Sequence, residues 1–207
     1  IRIVSNGPGN DFRRIAPMSY ASVITARATS RSRLATAVLV AGVAALTALA
    51  AQWYVPMWPV PVTGQTLVVL LGGAALGWKA GAAAQLLYLV AGSLGLPVFS
   101  EWSGGVDVLF GPAATTSGYL LAFPVAAALV GRLAEARHDR RFWTMAGAFL
   151  VGSGVIYAGG VVGLRLVLGI DFAEAVRVGV LPFLVGDAIK AAIAGVLLPG
   201  AWRLAGD

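Results

Sequence analysis

The sequence predicts an all-α integral membrane protein of six hydrophobic helices, with the N-terminus and C-terminus both cytoplasmic. Three observations predict it. Of 207 residues, 58% are hydrophobic and only 12% charged, against roughly 25% charged in an ordinary soluble domain, so there is too little charge to build a polar shell. The chain divides into charge-poor apolar runs of a length that a bilayer demands. Lys and Arg then fall mainly on one side of the layout these runs define.

The first apolar segment, 34–52, carries no charge and is long enough to cross. Its alanines recur at Ala37, Ala41 and Ala45, beside Ala44 and Ala48. That spacing strips one helical face of bulk, which suits close packing inside this chain as well as docking of a separate membrane partner. Next, 53–61 interleaves Trp53, Tyr54 and Trp58 with Pro56, Pro59 and Pro61. The prolines forbid regular helix and the aromatics suit the headgroup layer, so an extended interfacial loop is expected.

The second and third segments, 66–78 and 80–94, are separated only by Lys79 and form a tight hairpin, each short for a full span. A polar, glycine-rich stretch, 95–111, is the longest loop and a candidate lid. The fourth segment is 113–130, followed by the basic loop 132–141. The fifth, 142–168, holds Gly147, Gly152, Gly154, Gly159, Gly160 and Gly163, which implies close helix crossings. The sixth runs from about Val178 to Trp202. The membrane domain is therefore 34–204; residues 1–33 form an N-terminal segment that is flexible or, over 1–17, linker-like, with no run suited to a signal peptide.

With the N-terminus inside, the inner side collects Arg2, Arg13, Arg14, Arg27, Arg31, Arg33, Lys79, Arg132, Arg137, Arg140, Arg141 and Arg203. The outer side keeps Arg165 and Arg177. The net charge of +6 thus reads as membrane orientation and not as a nucleic-acid surface, because the cations are dispersed among short loops.

The remaining cation, Lys190, lies inside the sixth segment, three residues after Asp187. Both side chains share one helical face. Ionisable groups at such depth cost at least a few kcal/mol, so they should face the bundle interior and mark a functional site; the structural alternative is a pair that only fixes packing. Counted from Val178 at 1.5 Å per residue, they lie about 13–18 Å from the outer end, which suits a cavity opened from outside. Gln65 and Thr66, Gln85 and Tyr88, and Tyr119 are the other polar groups in apolar surroundings. Gln85 and Tyr88 fit a hydrogen bond between helices as well as a ligand contact, and Tyr119 fits an interfacial anchor.

Catalysis has no candidate constellation. There is no cysteine, the lone His138 sits in a charged loop, and no metal-spaced carboxylate cluster is present. The stretch from Gly72 to Lys79 lacks the spacing and the following Ser or Thr of a phosphate loop, so this chain does not hydrolyse ATP alone. Neither the zinc-protease nor the serine-hydrolase signature occurs. The reading is a non-enzymatic protein, either a binding component or a channel or proton-coupled carrier lined by Asp187 and Lys190.

Several short motifs in order resemble the BioY family, the biotin-specific substrate-binding components of energy-coupling-factor (ECF) transporters. They are Pro56-Met57-Trp58-Pro59-Val60-Pro61-Val62-Thr63-Gly64-Gln65-Thr66-Leu67, then Gln85-Leu86-Leu87-Tyr88-Leu89, then Gly92-Ser93-Leu94-Gly95-Leu96-Pro97-Val98-Phe99. Gly111-Pro112 with Gly118-Tyr119-Leu120, and Gly186-Asp187-Ala188-Ile189-Lys190, complete the set. One departure is the longer stretch Ala113–Ser117 between two of these motifs. The resemblance implies the ECF S-component fold, high-affinity biotin capture from outside, and residence in the bacterial cytoplasmic membrane. It also implies that the alanine face docks to a transmembrane coupling protein carrying two ATPases, which use ATP; self-association stays open, and no cofactor or metal is expected in this chain. Against biotin, Asp187 can accept from ureido N–H groups, while Lys190 donates to the ureido oxygen or stays paired with Asp187. Tyr88, Phe99 and Tyr119 would enclose the apolar ring, and Gln85 and Gln65 would add polar contacts.

Overall fold

In a computed structural model of the chain the described residues are 33–204. The linker-like segment 1–17, its continuation to residue 32, and the cations Arg2, Arg13, Arg14, Arg27 and Arg31 lie outside the described residues. The elements run α1 (Arg33–Ala51), β1 (Tyr54–Val55), β2 (Val62–Thr63), α2 (Gln65–Leu76), α3 (Trp78–Ser93) and α4 (Asp107–Phe110). They continue with α5 (Ser117–Glu135), α6 (Phe142–Leu168), α7 (Phe172–Gly179) and α8 (Leu184–Leu204). Three short 3-10 turns, at Ser100–Trp102, His138–Arg140 and Leu181–Phe183, join them.

Among the described residues, four segments are long and apolar enough to cross a membrane: α1, α5, α6 and the stretch Phe172–Leu204 that contains α7 and α8. Helices α2 and α3, of 12 and 16 residues, reach only about 18 and 24 Å at 1.5 Å per residue. They are separated by Gly77 alone, whose φ of 81° is a backbone state that glycine enters without the Cβ penalty. The expected hairpin is thus present and tighter than Lys79 suggested, because Lys79 itself is the second residue of α3.

Helix α8 shows the inverted pattern of a lipid-facing element. Val185, Ile189, Ile193 and Val196 are exposed, while Asp187, Ala191 and Ala194 are buried. In water that face would be unstable; against lipid tails it is matched, and the polar residues turn inward.

Helix α5 lies at the centre and packs on α2, α3 and α6. Small residues permit it. A Cβ at Gly118 would strike the Gly159 carbonyl of α6, and one at Gly73 of α2 would strike the Ala127 backbone of α5. Four of the six glycines in α6, Gly152, Gly159, Gly160 and Gly163, sit at such crossings. Gly147 and Gly154 do not: a Cβ there meets nothing within 4 Å, so the expected role in close packing does not extend to them. On α1, Ala44 is buried and Ala48 half-buried, whereas Ala37, Ala41 and Ala45 are exposed.

The helices alternate in direction. At one end Glu135 Oε1 accepts from the Trp78 backbone N–H at 3.1 Å, and the indole N–H of Trp202 donates to Asp139. Arg140 stacks 3.7 Å over the Trp202 ring. Asp139 is buried, which pushes its carboxyl above the usual range despite the Trp202 hydrogen bond and the Arg140 charge. Lys79 and Arg132 both lie 5.3 Å over the Trp78 ring at this end. The opposite end is capped by the β1–β2 ribbon and by 95–111.

The loop 53–61 is a short antiparallel ribbon, Tyr54 facing Thr63 and Val55 facing Val62. Its tryptophans Trp53 and Trp58 are about four-fifths exposed, as interfacial anchors should be.

The helix contacts give an expected mutational contrast. Gly118→Ala or Gly159→Ala forces backbone apart and should cost roughly 1–3 kcal/mol, read as a fall in melting temperature in detergent. Gly147→Ala and Gly154→Ala should leave the melting temperature unchanged or raise it, since helix propensity improves with nothing displaced.

Candidate functional site

The proline-rich ribbon delivers the chain into α2 through Thr63-Gly64-Gln65-Thr66, and the first turns of α8 come to lie against it. This brings the Lys190 ammonium to the Thr63 carbonyl oxygen at 2.8 Å, to Thr66 Oγ1 at 2.8 Å and to Asp187 Oδ1 at 3.0 Å. An ammonium has three donors, so each is spent. Asp187 also accepts from the Tyr157 hydroxyl at 2.7 Å and from Thr66 Oγ1 at 3.4 Å. The pair's side chains are 5% (Asp187) and 13% (Lys190) exposed. Asp187 falls in the first turn of α8, where the helix dipole favours a carboxylate.

The helix that carries the pair starts later than expected from sequence. The segment from Val178 is broken by the 3-10 turn at Leu181–Phe183, and α8 begins only at Leu184. Asp187 and Lys190 are therefore about 4.5 and 9 Å along α8 from its start.

Above the pair opens a cavity of about 540 Å³, its mouth included. Its polar end is Thr63, Gln65, Thr66, Asp187 and Lys190. Its walls are aromatic and aliphatic: Tyr119 and Phe123 from α5, Tyr157 from α6, and Phe183 from the turn before α8. The Tyr119 and Phe183 rings are 6.0 Å apart and those of Tyr157 and Phe183 6.3 Å, an aromatic wall of three rings. Ser100, from the long loop, and Thr116, at the head of α5, add hydroxyls. The lining matches that of a small-molecule site, with few polar groups set in apolar walls.

Of the residues singled out from sequence, Asp187, Lys190, Gln65, Thr66 and Tyr119 line this cavity. The Tyr119 hydroxyl donates to the Gly179 carbonyl at 2.7 Å, so only its ring faces the space. Gln85, Tyr88 and Phe99 stand outside the lining. Tyr88 accepts from Gln65 Nε2 and donates to the Val98 carbonyl at 3.2 Å, and Phe99 meets its ring edge-on at 5.4 Å. They support Gln65 from behind. Gln85 reaches across helices to Thr47 Oγ1 at 3.3 Å, and its Oε1, buried, has no partner among the described residues. Tyr157 and Thr63 were not anticipated as site residues. Tyr157 carries the one phenol of the fifth segment, a signal that the surrounding glycines masked; Thr63 takes part through its backbone carbonyl, which no side-chain pattern reports.

The long loop 95–111 is held down at several points. Gln52, at the end of α1, donates to the Phe99 carbonyl at 2.9 Å and accepts from the Trp102 backbone N–H at 3.0 Å. Thr115 donates to the Pro59 carbonyl at 2.8 Å and ties the next connector to the ribbon. No group of three or more His, Cys, Asp or Glu able to hold a metal occurs among the described residues.

Comparison with known proteins bears on what such a site serves. The chain is 41% identical over 169 residues to a protein of Pyrococcus horikoshii named probable biotin transporter BioY, covering 82% of this chain and 95% of that one. It is 38% identical over 153 residues to the biotin transporter BioY of Thermotoga maritima, covering 74% and 87% of the two chains. The crystal structure of an S-component for biotin from an ECF-type ABC transporter superposes with a TM-score of 0.74 at 23% identity, over 83% of this chain and 92% of that one. At that identity the likeness establishes the fold: the all-helical architecture is that of the S-component. Since the BioY family model also matches residues 23–207, this chain belongs to the BioY family.

Proposed function

We propose that this chain captures biotin as the substrate-binding component of an ECF transporter in the cytoplasmic membrane of a bacterium, and that partner proteins supply the energy. The single observation that carries the reading is the cavity built around Asp187 and Lys190: one charged, hydrogen-bonding end set in aromatic walls. Biotin has the complementary division, a ureido ring with two N–H donors and a strong carbonyl acceptor fused to an apolar thioether ring. Asp187 Oδ2 holds one bond, from Tyr157, and a carboxylate oxygen can accept a further N–H. Relatives named as biotin transporters support the ligand, and the family's named members are transporters, not enzymes.

In this reading all six expected segments traverse the membrane, with the short α2–α3 hairpin completed by its flanking residues, and the cavity opens outward. The support is the clustering of Lys79, Arg132, Arg137, Arg140 and Arg141 around the end opposite the cavity, as cytoplasmic loops require. The termini then lie in the cytoplasm. Ala37, Ala41 and Ala45, exposed on α1, form the surface on which a transmembrane coupling protein bearing two ATPases docks.

Asp187→Asn and Lys190→Ala should each weaken biotin binding by more than tenfold in a folded, purified protein. Each removes a charge-assisted hydrogen bond of about 1.5–3 kcal/mol and leaves its partner group uncompensated. Parent-like affinity in both variants would remove the site from α8. Uptake by the parent that collapses with the proton gradient alone, ATP being present, would favour the carrier reading instead.

Ala41→Leu should leave biotin affinity unchanged and abolish ATP-driven uptake, separating docking from capture. Loss of affinity would place that face in ligand binding.

Gln52→Ala removes two loop contacts at the cavity mouth. Biotin release, followed by displacement of labelled ligand, should accelerate several-fold with little change in thermal stability.

A further inference from the structure

We infer that the cavity reads the ring end of biotin and leaves its carboxylate unread, so that esters and amides of biotin with neutral tails are ligands of similar affinity. This rests on the biotin reading above and extends it to a wider substrate class.

The argument is one of charge and donors. Among the described residues that line the cavity, Asp187 and Lys190 are the charged ones, and they neutralise one another at 3.0 Å. Lys190 has no spare N–H, because its three donors go to Thr63, Thr66 and Asp187. Among the described residues, the two other cations at this end of the bundle serve elsewhere. Arg177 is bound through two nitrogens to Glu174 at 2.7 Å on α7, and Arg165 is exposed on α6 outside the lining. A ligand carboxylate drawn inside would add a second anion near Asp187 with no cation to offset it, which is strongly unfavourable in a water-poor site. The carboxylate therefore lies at the mouth, where water solvates it.

The mouth offers the half-buried hydroxyls Ser100 and Thr116. A hydroxyl donates to an ester or amide carbonyl as well as to a carboxylate. No side chain in the lining therefore offers a free positive charge to the tail, and selectivity falls to the polar end and to the aromatic wall of Tyr119, Tyr157 and Phe183.

The test is calorimetric titration of the purified, biotin-depleted chain with biotin, biotin methyl ester and biotinamide at neutral pH. The expected result is three dissociation constants within about tenfold of one another, a spread under 1.4 kcal/mol. If ester and amide both bind more than tenfold weaker while biotin binds tightly, the inference is overturned and the biotin reading stands. If biotin itself does not bind, both fall.

Discussion

The constraint on which the structure turns is the burial of two opposite charges within a bundle of apolar helices. An isolated ammonium or carboxylate there would carry a penalty of several kcal/mol. Lys190 and Asp187 offset it by bonding to each other and to Thr63, Thr66 and Tyr157. Each bond comes from a different part of the chain: ribbon, α2, α6 and α8. The network therefore satisfies the charges and fixes the relative position of four elements around one cavity.

That network needs a rigid frame. Helix α5 provides it through backbone-to-backbone approaches at Gly118 with Gly159 and at Gly73 with Ala127. Close approach of backbones takes the place of hydrophobic driving force, which is absent between helices bathed in lipid. The frame also sets the aromatic wall: Tyr119 rises from α5 and is held by the Gly179 carbonyl, while Phe183 enters from the turn that precedes α8. The same turn sets Asp187 in the first turn of α8, where the dipole favours a carboxylate.

The division of α1 into a buried edge and an exposed alanine face gives one helix two relations. Ala44 and Thr47 face the bundle, Thr47 receiving the Gln85 amide; Ala37, Ala41 and Ala45 face out. Gln52, at the end of this helix, grips the loop that brings Ser100 to the cavity. One side chain thus ties the end of α1 to the loop beside the cavity.

Much of this was legible in the sequence. The apolar runs fall on α1, α2, α3, α5, α6 and α8, with α6 at its observed bounds, while the fourth run stops short of Glu135 and the sixth starts ahead of Leu184; hydrophobicity and glycine content act locally along the chain. The placing of an acid and a base in one apolar helix pointed to the polar end of the cavity, because few alternatives make such burial tolerable. The short ribbon, the break before α8 and the partners of Lys190 were decided by tertiary structure. So was the sorting of Gln85, Tyr88 and Phe99 to positions behind the cavity while Tyr157 and Phe183 entered its wall. The physical reason is that a side chain's facing depends on helix rotation and on which donors are already spent. Both are settled by contacts between segments far apart in sequence, and periodicity within one segment does not encode them.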